Sequence, residues 1–182
     1  MEAANIAFVV ISAAMVMLMT PGLAFFYGGM VRVKSALNML MMSFISLGII
    51  SLLWVLYGFS LAFSGDSGGI IGDLEAAGFP QDIYLVDGEL DGALLSFAVF
   101  QLMFAILTPA LMSGALADRV KFASWALFIT LWATVVYFPV AHWVWAEDGW
   151  LYDLGVIDFA GGTAVHINAG AGALGAVLVV GR

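Results

Sequence analysis

The 182-residue sequence is 64% hydrophobic, 14% aromatic and only 10% charged, and it has no cysteine. A soluble domain carries about 25% charged residues, so this composition indicates an integral membrane protein; the long, non-alternating apolar runs make it helical rather than a barrel. The missing cysteines exclude disulfides, thiol chemistry and cysteine-ligated metals, and the five basic residues against a net charge of -8 leave no nucleic-acid footprint.

The first uncharged run covers residues 3–31. It lacks the basic leader and short apolar core of a cleavable signal, so it reads as a retained helix. Pro21 and Gly22 inside it predict a bend or a local opening. Arg32 and Lys34 close it, and a second run follows over 35–65, with Trp54 and Tyr57 placed where interfacial aromatics are common. Residues 66–91 then form a long loop rich in Gly and Asp, with seven acids and no base. A third span is predicted over 92–117, a tight turn at 118–121, and a fourth span over 122–146 with Pro139 inside it. A short acidic loop over 147–157 leads to the fifth span, 159–181, with Arg182 after it.

Charge sets the predicted topology. Alternating through the five spans puts Arg32, Lys34, Arg119, Lys121 and Arg182 on one side, while all acids but Asp118 fall on the other side or at its mouth. By the positive-inside rule the basic side is cytoplasmic, the N-terminus outside and the end of this segment inside. An odd number of spans also fits one half of an inverted repeat, in which a second copy enters the membrane upside down. A chain stopping at Arg182, straight after a span, is expected to be half of a larger protein; a complete five-helix protein is the alternative.

The fifth span carries the most pointed candidate. His166 is its one titratable side chain, and Gly162 and Gly170 lie four residues to either side, on one helical face. The glycines remove bulk around the imidazole, so a helix or a small solute can approach. Counting 1.5 Å per residue from Asp158 places His166 about 12 Å in, close to the bilayer midplane. An ionisable group there is either a functional site or a hydrogen-bonded packing residue. Asp158 is a candidate N-cap for the same helix, and its charge favours cations. Phe100 and Phe104, four apart on the third span, either pack the core or line a narrow path. Trp145, at the outer end of the fourth span, belongs either to an aromatic belt or to a cation-attracting mouth. His142, beside Trp143, reads as an interfacial group. No cluster has metal-ligand spacing, and no Ser-His-Asp set, phosphate loop or dinucleotide fingerprint is present, so enzyme classes, metals and cofactors are set aside.

Five stretches also resemble the ammonium transporter (Amt/Mep/Rh) family: DFAGGTAVHINAG at 158–170, PGLAFFYGG at 21–29, LWVLYGFSLAF at 53–63, SGALADRVKF at 113–122 and FPVAHWVW at 138–145. The first is the most specific, with its Asp, paired Gly, His and Asn in register. The resemblance implies the N-terminal half of an eleven-helix, inverted-repeat transporter that forms homotrimers with a pore in each subunit. It implies that His166 is the first of two pore histidines and that Phe104 is one of two stacked rings closing the pore. It also implies that Trp145 and Phe100 form the outer ammonium recruitment site, with Asp158 a buried structural and electrostatic support below. The stretch Gln101-Leu102-Met103 departs from the smaller residues some members carry between the two phenylalanines. Ammonium or ammonia is the implied substrate, and a cytoplasmic PII-type nitrogen regulatory protein an implied partner. An ammonium sensor coupled to a signalling module, a channel for another small neutral solute, and a membrane scaffold are the alternatives.

Overall fold

A computed structural model describes residues 3–86 and 88–181. Among these, five helices are long and apolar enough to cross a membrane. Inside a bilayer no water satisfies backbone N–H and C=O groups, so uncharged runs of this length close their hydrogen bonds within themselves as helices.

Helix α1 is Ala3–Met30 and stays continuous through Pro21 rather than opening there. Helix α2 runs from Val33 to Phe63 and includes a π-helical turn, Trp54–Gly58. The connection after it carries a short helix and a hairpin: a one-turn helix α3 (Gln81–Tyr84) leads into two strands, β1 (Leu85–Val86) and β2 (Glu89–Leu90), with Leu85 opposite Leu90. Asp91 caps α4 (Gly92–Ser113, extended by a 3-10 turn Gly114–Leu116) through its Oδ1, which accepts from Ala93 N at 2.9 Å and Leu94 N at 3.0 Å. Helix α5 is built from Phe122–Trp132, a π turn Ala133–Tyr137, and Phe138–Trp145. The acidic loop that follows holds one helical turn, α6 (Trp150–Asp153). Helix α7 comprises a π turn, Gly162–Ile167, and Asn168–Val180.

Helix α2 packs between α1, α4 and α5, and α4 also carries α7. Polar side chains tie the helices together across apolar contacts. Trp125 Nε1 donates to Met42 O at 2.7 Å, and Trp54 Nε1 donates to Ala98 O at 3.1 Å. The Tyr57 and Thr134 hydroxyls meet at 2.9 Å, joining the π turns of α2 and α5. Trp54 and Tyr57 are thus core-facing rather than interfacial: Trp54 is buried against Phe59, Phe63 and Phe138. Gly58 is needed at this crossing, because a Cβ there would lie 2.5 Å from the Phe138 ring.

The two ends of the bundle differ in charge. Arg32 pairs with Asp118 at 2.9 Å, which puts the α1–α2 and α4–α5 connections side by side, and Arg119 reaches Gly181 O at 3.4 Å. All four described basic residues therefore gather at one end; Arg182 lies outside the described residues. Asp66, Asp91, Glu147 and Asp148 occupy the other end.

Candidate functional site

The start of α7 departs from expectation in a useful way. Asp158 is not the N-cap residue, and the helix begins only at Gly162. Phe159, Ala160 and Gly161 make a bend in which Gly161 adopts φ 77°, a conformation that favours glycine. The Asp158 side chain folds back over the bend, and its Oδ2 accepts from Thr163 N at 3.0 Å and Ala164 N at 2.9 Å. A carboxylate thus satisfies the orphan donors of the first turn from outside the helix. Its second oxygen, Oδ1, is buried without a protein partner.

His166 follows within this π turn, its N–H donating to Gly161 O at 3.0 Å. It stands four residues past the helix start at Gly162, so the count from Asp158 runs partly through the bend rather than along the helix. Its side chain is exposed in this chain, as are Gly162 and Gly170. A Cβ at Gly170 would meet open space, and one at Gly162 would approach only Asp158 Oδ1, at 4.0 Å. The same open stripe continues through Leu174 and Leu178.

The aromatic candidates converge from two helices. Phe100 and Phe104 on α4 meet edge to face with ring centres 5.0 Å apart, and Phe104 contacts Trp145 of α5 at 6.1 Å. Trp145 also borders the α7 bend, since a Cβ at Gly161 would lie 4.0 Å from its Cζ2. The rings therefore form one path from α4 across α5 to the capped start of the helix that carries His166. Beside Trp145 opens a cavity of about 420 Å³, lined among others by Phe63, Phe97, Glu147, Asp148 and Tyr152. Ring faces and carboxylates at this end attract cations.

Residue patterns missed two features. Three membrane helices contain π turns, which leave no periodic signature. His142, expected at an interface, is fully buried, with its ring nitrogens held by Ala62 O and Asp66 Oδ1, each at 3.2 Å. Asp66 is the first carboxylate after the second apolar run, but nothing local marks it as the partner of a residue 76 positions away.

Comparison with known proteins places this arrangement. The Ammonium Transporter Family profile matches residues 7–182. An ammonium transporter from Mycobacterium tuberculosis is 51% identical over 205 residues, covering 100% of this chain and 43% of its own length. The crystal structure of Saccharomyces cerevisiae Mep2 superposes with a TM-score of 0.88 at 38% identity, covering 100% of this chain and 40% of that one. A structure described as a sensor Amt protein superposes equally well, with a TM-score of 0.88 at 31% identity, over 98% of this chain and 44% of its own. The chain spans about two fifths of the length of these relatives. On both sequence and fold it belongs to the Ammonium Transporter Family, a family of membrane transporters rather than enzymes.

Proposed function

We propose that the protein carrying this chain transports ammonium or ammonia across the cell membrane through a pore in each subunit of a homotrimer. The acidic end of this chain faces outside, the basic end faces the cytoplasm, and a PII-type regulator is the partner class on that inner side. The observation that carries this reading is the aromatic path Phe100–Phe104–Trp145 leading to the Asp158-capped start of α7. Trp145 and Phe100 hold an arriving ammonium ion by cation-π attraction, which does not demand full dehydration. Bringing a bare cation into an apolar bore is very costly, so the ion gives up its proton below the rings. His166 then hydrogen-bonds the neutral species or relays the proton, because imidazole both donates and accepts. Phe104 narrows the path, while Asp158, Gly162 and Gly170 hold α7 and keep the space beside His166 open.

The test is uptake of labelled methylammonium by liposomes containing the whole protein. Competition by ammonium but not by potassium or urea supports the reading. Competition by urea and not ammonium would point to a neutral-solute channel instead. The second reading, a sensor, is favoured by the 31% identity to the sensor Amt protein. Ammonium binding without any flux in the same liposomes would select it.

A further inference from the structure

A groove at the basic end of the bundle takes no part in the transport reading. It runs between α5 and α7 with a volume of about 460 Å³, and among the described residues no charged side chain lines it. Trp125, Phe128 and Trp132 form its wall on α5, and Gly172, Gly175 and Ala176 face them from α7. The ring wall is fixed from behind: Trp125 and Trp132 are buried, and Trp125 Nε1 donates to Met42 O at 2.7 Å. The small residues keep the opposite side low. A Cβ on Gly172 would lie 2.7 Å from Met112 Sδ and 2.9 Å from Trp132 Nε1, whereas one on Gly175 would meet nothing within 4 Å. Gly172 therefore lets α7 close onto α4 and α5 at the deep end, and Gly175 leaves the groove open nearer the basic end.

The dimensions suit a slender occupant. Ser124 to Trp132 on α5 and Gly172 to Val180 on α7 each cover about 12 Å of helical rise. Spread over that length, the volume gives a cross-section of about 40 Å², less than half that of a helix about 10–12 Å across. The mouth of the groove is cationic. Val120, which lines that end, stands between Arg119 and Lys121. Arg119 also reaches Gly181 O at 3.4 Å, so its guanidinium bridges the two helix ends that frame the mouth. Both cations are exposed, and neither pairs with a carboxylate among the described residues; the neighbouring Asp118 is engaged by Arg32.

We propose that this groove seats one acyl chain of an anionic phospholipid, with the lipid phosphate held at the mouth by Arg119 and Lys121. Lipid tails are as apolar as the wall, so the tail by itself gains little from choosing the groove over the bilayer. Selection comes from the headgroup. Each Lys or Arg beside an anionic membrane surface is worth about a fivefold gain in binding, and the choline of a zwitterionic lipid cancels most of that attraction. The site stands apart from the candidate pore residues and does not depend on what the pore conducts.

The test places the whole protein in phosphatidylcholine vesicles containing phosphatidylglycerol with a photoactivatable group on its acyl chain. The matching phosphatidylcholine probe is the control, and crosslinked residues are mapped by fragment sequencing. The phosphatidylglycerol probe should label Phe128 and segment 172–180 about tenfold or more above the control, the effect of two cations. Both probes should label Leu127 and Leu131, exposed on the outer face of α5, to the same extent. In the double variant Arg119→Gln, Lys121→Gln the excess should fall to the control level. Gly175→Leu should abolish groove labelling by both probes, because its side chain enters the open space, and leave Leu127 and Leu131 labelled. Equal groove labelling by the two probes, or an excess that survives loss of both cations, overturns the proposal. An unlabelled groove beside labelled Leu127 and Leu131 also overturns it, because another part of the protein then fills the space. The comparison of the two probes on the native protein decides the matter even if a variant fails to fold.

Discussion

Arg32 donates from both Nε and Nη2 to the same oxygen of Asp118, at 3.2 and 2.9 Å, across 86 positions of sequence. The contact joins two connections that are far apart in the chain, and it puts Lys34 and Lys121 at the same end. If that end is cytoplasmic, Lys34→Cys should be labelled by an impermeant thiol reagent only from inside and Ser67→Cys only from outside. The absence of native cysteines in this chain keeps its background clean. Labelling of Lys34→Cys from outside would reverse the topology.

The same clamp should weaken in acid. Hydrogen bonds from Ser35 and Arg32 hold the Asp118 carboxyl below its ordinary range. A lowered carboxylate contributes stability above its ordinary titration range, and that stability is lost as pH falls through the folded value. Asp118→Asn should therefore flatten the acid limb of a thermal-stability profile. The change will be small, because both side chains are partly exposed and the pair is screened by solvent. An unchanged acid limb in Asp118→Asn would show that other carboxylates govern it.

Trp145→Leu and Phe100→Ala should each weaken ammonium capture while leaving the fold in place. A cation-π contact is worth about 0.5–2 kcal/mol, so half-saturation for methylammonium should rise about 2- to 30-fold. The maximal rate should change less than the half-saturation. An unaltered concentration dependence in both variants would assign these rings to packing alone.

His166→Ala should insert and assemble normally, because its side chain makes an exposed stripe with Gly162 and Gly170 rather than filling this chain's core. Current and ammonium flux, measured in liposomes and normalised to assembled protein, should separate: coupled proton movement is lost and rejection of potassium declines. Normal flux, current and potassium rejection would remove His166 from the mechanism.

Five membrane helices were legible in the sequence because a bilayer leaves an uncharged run few other ways to satisfy its backbone. The separation of acidic from basic residues was legible too, since each helix carries its flanking charges to one end or the other. The individual site residues could be nominated by type and motif, but their grouping depended on the fold. Phe100 and Phe104 meet as neighbours four apart on α4, but Phe104 reaches Trp145 only because the fold brings α4 and α5 together at that level. The true start of α7 depended on a bend at Gly161 and a carboxylate reaching forward to Thr163 and Ala164, which linear counting from Asp158 passes over. His142 resembles any aromatic-flanked interfacial residue until Ala62 and Asp66 close around it. Hydrophobicity and charge act along the chain and can be read there. Hydrogen-bond geometry and ring contact depend on residues tens of positions apart, and only the packed helices bring them together.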